Sequence, residues 1–148
     1  MNISNPIIMN TTKTSITVEV QVKATIEKVW DSWTNPKHIT QWNQASPDWH
    51  TPFAENDLRI GGIFKSTMAA KDGSMSFDFW GTYTNVISHR LIEYTMGDDR
   101  KAKIIFEEKG SEVRVIETFE AEDENSVELQ RGGWQAILDS FKKYTESL

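Results

Sequence analysis

From Phe53 to Glu120 apolar side chains return at about every second position, broken only by short stretches rich in glycine, aspartate, serine or lysine. A period of two places alternate side chains on opposite faces of a pleated strand, so this part of the chain must build a sheet with one buried face. The predicted strands are Phe53–Arg59, a stretch carrying Phe64, Ser66 and Met68 on one face, Met75–Val86, Leu91–Met96, Lys101–Glu108 and Glu112–Glu120. Gly61-Gly62, Lys71-Asp72-Gly73, Ser88-His89-Arg90, Gly97-Asp98-Asp99 and Lys109-Gly110-Ser111 supply the turns. Connections this short join antiparallel neighbours. Near the start, Ile16, Val18, Val20 and Val22 alternate with polar residues and add a further strand, for seven in all.

Between that strand and the rest the period becomes helical. Thr25 is a helix cap, and Ile26, Val29, Trp30 and Trp33 fall on one face. Asn35-Pro36 restarts the chain with a cap and a first-turn proline, giving a second short helix to Trp42. Asn43–Pro52 has no period and is predicted as a loop. Ser126 caps a long final helix with Val127, Trp134, Ile137, Leu138, Phe141 and Tyr144 in its apolar stripe. A sheet with one buried face needs a large partner, and that helix is the only one on offer, so the fold class is α+β.

A chain of 148 residues fits one domain, expected over residues 13–148 behind a flexible tail at 1–12. Met9 is an alternative start within that tail. The first residues lack the basic and apolar regions of a secretory signal, and no apolar run is long enough to span a bilayer. There are no cysteines, which excludes thiolate chemistry and fits a cytoplasmic location. The formal charge is -6, and all of the acid excess lies in residues 75–148, which argues against nucleic acid and anionic membranes as partners. Aromatic content is the unusual quantity: 6 tryptophans, 7 phenylalanines and 3 tyrosines in a small domain.

Standard catalytic patterns are missing: no nucleophile elbow, P-loop, dinucleotide fingerprint or H-E-x-x-H. His38, His50 and His89 are far apart, so no metal and no cofactor is expected. Asp48-Trp49-His50 is the one local cluster with acid–base potential, and it has no nucleophile beside it. Polar residues on predicted inner faces carry more information. Gln130 and Arg131 fall within the apolar arc of the last helix, next to Gly132-Gly133, and Glu117 shares a strand face with Val113, Val115 and Phe119. One reading makes Glu117, Gln130 and Arg131 convergent polar groups in an aromatic cavity. The other makes Glu117 and Arg131 a structural ion pair, or turns Glu117 outward on a bulge.

Three segments carry a family resemblance: T-I-E-K-V-W-D-S-W-T-N-P-K-H-I-T-Q-W, then D-L-R-I-G-G-I-F, then V-I-E-T-F-E-A-E-D-E-N-S-V-E-L-Q-R-G-G-W-Q-A-I-L-D-S-F-K-K-Y. From about Ile16 to Tyr144 the chain resembles the START-like (SRPBCC) superfamily, and within it the branch named for the activator of heat-shock-protein-90 ATPase. The resemblance implies a helix-grip fold, in which a curved antiparallel sheet wraps the long C-terminal helix and leaves a cavity between them. It also implies binding of a small hydrophobic or amphipathic molecule. The expected cavity wall is Trp42, Trp49, Phe64, Met68, Phe77, Phe79, Tyr83, Met96, Phe106, Phe119, Trp134 and Ile137, with Glu117, Gln130 and Arg131 as its polar groups. Arg131 would meet an anionic head and Gln130 a hydroxyl or carbonyl. Two alternatives accompany this expectation. One is a co-chaperone module with a chaperone as partner and a role in the stress response. The other is a cyclase or hydrolase with Asp48, His50 or Glu117 as general base. The protein is expected as a monomer or a homodimer.

Overall fold

A computed structural model describes residues 13–148, so the expectations for the tail and for Met9 lie outside the described residues. The element order is β1 (Ser15–Val22), α1 (Ile26–Thr34), α2 (Pro36–Trp42), β2 (Trp49–Asn56), β3 (Ile63–Ala70), β4 (Ser76–Ile87), β5 (Leu91–Met96), β6 (Lys101–Lys109), β7 (Glu112–Glu120) and α3 (Val127–Glu146). All seven strands join one antiparallel sheet in the order β1-β7-β6-β5-β4-β3-β2, curled into a half-barrel. Every neighbour except β1–β7 is also a neighbour in sequence, as short hairpin connections require.

The local signals act as the sequence indicates. The Thr25 side chain accepts from the Lys28 N–H, that of Asn35 from Lys37 and that of Ser126 from Leu129, each relieving an orphan donor of a first turn. Positive φ occurs at Gly61, Gly73 and Gly110, and also at His89 and Asp99. Strand β1 shows strict exposed–buried alternation, and β7 alternates half-buried with buried residues. The strand expected at Phe53–Arg59 lies earlier than expected: the segment predicted as a loop to Pro52 already enters β2 at Trp49, and the strand ends at Asn56. The pairing of β2 with β3 slips between His50 and Phe53, and this irregularity, in an edge strand, holds Pro52. An edge tolerates a residue without an N–H, which conceals the strand from a search for unbroken alternation.

Helix α3 lies along the β1 edge. Gln135 donates to the Glu19 carbonyl, Lys142 donates to that of Gln21, and the Lys23 N–H donates to Glu146. The helix thus covers backbone groups that a free edge would offer to another chain. Beneath it Leu138 and Phe141 are fully buried with Ile16, Val22, Val29, Ile104, Val113 and Val115. The two short helices close one end: Trp42 donates its indole N–H to the Ser32 carbonyl, and His38 bridges Asp31 of α1 and Tyr144 of α3. Among the described residues no helix is long and apolar enough to cross a membrane.

Candidate functional site

The inner faces of the strands do not all meet a helix. Helix α3 packs along β1 and α2 against β2, and among the described residues no helix comes as close to β3, β4 or β5. The consequence is a cavity of about 410 Å³ between the middle of the sheet and the three helices. Strands β3 and β4 contribute Phe64, Ser66, Met68, Phe77, Phe79 and Tyr83, while β5 and β7 contribute Ile92, Tyr94 and Glu117. Trp33, Ile39 and Trp42 line it from α1 and α2, and Trp134 and Ile137 from α3. Trp49 and Phe77 stand at the mouth with ring centroids 6.0 Å apart.

Edge-to-face aromatic contacts hold this wall. Phe64 lies 4.7 Å from Tyr94 and Phe79 lies 6.0 Å from Trp134, centroid to centroid, each edge to face. Such pairs contribute about 0.5–1.5 kcal/mol beyond the area they bury. Gly81 is what lets Phe64 lie flat on β4, because a Cβ there would come within 2.8 Å of that ring. Trp134 keeps its place by stacking on Phe119 at 3.8 Å.

The polar groups of the cavity divide into two kinds. Some are already satisfied. Asn56 donates to the Thr34 carbonyl and accepts from the Tyr83 hydroxyl, and Arg100 donates to Asp98 and to the Glu120 carbonyl. Others have no hydrogen-bond partner among the described residues: the Glu117 carboxyl, the Tyr94 hydroxyl and the Ser66 hydroxyl, on side chains of residues only 5%, 6% and 5% exposed. Burial alone pushes the Glu117 carboxyl up to about 8, so it is largely protonated at neutral pH. Burial, followed by the nearby Glu117 carboxyl, holds the Tyr94 hydroxyl well above its ordinary value.

A seven-stranded half-barrel with this element order and an aromatic cavity behind its last helix is the geometry against which relatives can be compared. Residues 23–146 match the family model described as activator of Hsp90 ATPase homolog 1-like protein. The chain belongs to this family. An AHSA1-like protein of Aeromonas hydrophila, known from a solution structure, is similar at 42% identity over 90% of this chain and 93% of its own, with a TM-score of 0.85. A Cytophaga hutchinsonii protein reaches 59% identity over 90% of this chain and 92% of its own, with a TM-score of 0.78. A Chromobacterium violaceum protein, at 20% identity, 90% and 98% coverage and a TM-score of 0.80, shares the fold. No curated protein matches the chain.

In this AHSA1-like domain the residues expected at the cavity separate cleanly. Trp42, Trp49, Phe64, Met68, Phe77, Phe79, Tyr83, Trp134, Ile137 and Glu117 all line it. Met96, Phe106 and Phe119 lie in the solid core instead, 3%, 4% and 1% exposed. Phe106 is taken up by Trp30 and Trp33, and Phe119 lies beneath Trp134. Gln130 is buried but turned to the loop before α3, where it accepts from the Glu122 N–H and donates to the Glu122 and Asn125 carbonyls. Arg131 pairs with Glu128 at 3.0 Å on the surface, which excludes its pairing with Glu117 and removes it from the cavity. A helical wheel cannot distinguish a side chain facing a cavity from one facing a loop or the surface, so Gln130 and Arg131 share the apolar arc without lining the cavity.

Gly132 and Gly133 face open space: a Cβ on either meets nothing within 4 Å. Asp48 and His50 are exposed and share no hydrogen bond. Among the described residues no group of three or more His, Asp or Glu could hold a metal. Sequence patterning missed Tyr94, although it alternates with Ile92 and Met96 in β5 and could have been read as an inward polar handle.

Proposed function

We propose that this domain binds a small hydrophobic or amphipathic molecule between sheet and helix. The observation that carries the reading is the cavity of about 410 Å³, walled largely by aromatic rings, with Glu117, Tyr94 and Ser66 as little-exposed polar residues in its lining. Small-molecule sites have this volume and this mixture of apolar wall with few placed polar groups. An interior built only for stability would close such a space, because each lost contact costs dispersion energy. Family membership supports the same reading through the shared helix-grip fold, without naming a ligand. Thermal unfolding against a panel of fatty acids, flat aromatics and polyketide-like compounds tests it. A binder raises Tm with concentration, by the mass-action stabilisation of the native state. Met68→Trp, which fills the mouth, should abolish that rise while leaving the protein folded. A panel with no stabilising compound at all would defeat the proposal.

A further inference from the structure

The cavity has a chemical polarity that its volume does not reveal. At its mouth the walls are half exposed, with Phe77 at 50%, whereas its buried end holds Glu117 and Tyr94 at 5% and 6%. The two belong to one surface of the sheet. Tyr94 pairs with Ala102, Ala102 with Phe119, and Glu117 stands two residues before Phe119 on the same face of β7. Strand β6 lies between them, with Ala102 opposite Tyr94 and Ile104 opposite Glu117, and both longer side chains line the cavity.

Everything else around Glu117 is uncharged or already engaged. In register with it, β1 presents Val18 and β6 presents Ile104, while α3 contributes Trp134 and Ile137 to the cavity, and α1 and α2 contribute Trp33, Ile39 and Trp42. The other titratable groups lining the cavity are Tyr94, Tyr83, Arg100 from the β5–β6 turn and, on the edge strand β2, the exposed Glu55, which pairs with Lys65 at 3.9 Å. The Arg100 charge is held by Asp98 at 2.8 Å, and a second guanidinium nitrogen donates to the Glu120 carbonyl at 3.2 Å. Arg100 is therefore no free socket for an anion. Burying an ammonium would require Glu117 to ionise in an apolar surrounding, where the desolvation of two charges opposes their attraction.

We propose that the buried end of the cavity holds an uncharged, flat ligand by its carbonyl oxygen, which accepts hydrogen bonds from the Glu117 carboxyl and the Tyr94 hydroxyl. This rests on the cavity being a binding site and adds the class of ligand. A carboxylic acid kept neutral by an apolar site donates a hydrogen bond as a hydroxyl does, and a tyrosine beside it supplies the second donor to one oxygen. The aromatic wall takes the flat body by stacking and edge contacts. The ligand class is thus an aryl ketone, an enone or a related neutral carbonyl compound, in place of an ionised amphiphile.

Four naphthalenes of similar size separate the possibilities by equilibrium dialysis: 2-acetylnaphthalene, 2-ethylnaphthalene, 2-naphthoate and 2-naphthylmethylammonium. The ketone should bind about tenfold more tightly than the ethyl compound, from two modest hydrogen bonds. Both ions should bind more weakly than the ketone. Glu117→Leu, which replaces an unpartnered carboxyl by an apolar side chain and so does not threaten folding, should bring the ketone to within a few-fold of the ethyl compound without weakening the latter. Tyr94→Phe should lose part of the same preference, and Glu117→Gln, which keeps an N–H donor, should retain it. In the unsubstituted protein the preference should hold from pH 5 to 7 and decline above about 8, where the carboxyl gives up its proton. Equal binding of ketone and ethyl compound, or tighter binding of either ion, overturns the carbonyl assignment and leaves the cavity as a binding site. Binding of none of the four overturns both.

Discussion

The two ends of this interior are built from the same kinds of residue and do opposite things. Where α1 and α3 meet β6 and β7, aromatic rings fill the space. Trp30 and Trp33 meet Phe106 edge to face, and Phe141 lies 4.9 Å from Trp33 and 5.0 Å from Trp42. Over β3, β4 and β5 an equally aromatic surface faces a cavity. Composition is therefore not what makes an interior hollow. A sheet of seven strands is wider than one helix can cover, and α3 is drawn to the β1 edge by Gln135 and Lys142. The strands left without a helix keep their apolar faces and lose their filling.

The largest test of this contrast is a pair of truncations. Phe141→Ala, at a side chain with no exposure and rings on two sides, should cost about 3–5 kcal/mol in urea unfolding, as core phenylalanines do. Phe79→Ala, on the cavity wall, should cost about 1–2 kcal/mol, because its ring already faces space and less contact is lost. Equal losses would show that the second region is packed as tightly as the first.

The next effect is a pH dependence. Glu117 is ionised in the unfolded chain above its ordinary value near 4.5 and stays protonated in the folded one up to about 8. The folded state thus binds the extra proton, and stability falls as pH rises between those limits, by up to about 1.4 kcal/mol per pH unit. Glu117→Gln removes the titration and keeps the shape. Unfolding curves from pH 5 to 8 should show the unsubstituted protein losing stability relative to the variant throughout. Parallel pH profiles would mean that the carboxyl is well solvated.

The smallest effect concerns the helix above the cavity. Gly132 has open space where a Cβ would go, so Gly132→Ala should raise stability by about 0.5–1 kcal/mol and leave probe binding unchanged. A loss of binding would show that the helix must yield there for the cavity to work.

Much of this is legible in the sequence. The alternation in β1 and β7, the three capping residues and the Asp–Gly and Lys–Gly turns each encode a local geometry, and the sheet and helices follow them. The period of two put Glu117 on the face of Val113, Val115 and Phe119 but left open an ion pair or an outward bulge, and the unbroken β6–β7 register is what turns it to the cavity. The start of β2 is not legible, because Pro52 and a register slip at the edge leave no alternation to detect. Gln130, Arg131, Met96, Phe106 and Phe119 were assigned to the cavity on facing alone, and three of them turned out to be core, one to hold a loop and one to reach the surface.

By itself, then, the sequence determined the alternation of the strands, where helices begin and turns fall, and that Glu117 shares a strand face with Val113, Val115 and Phe119. The tertiary structure alone decided which inward residues touch one another and which face a void. Periodicity is a property of neighbours along the chain, whereas filling depends on what arrives from the opposite side. Here α3 arrives at the β1 edge and α2 at the β2 edge, and the sheet between them is left open above Glu117 and Tyr94.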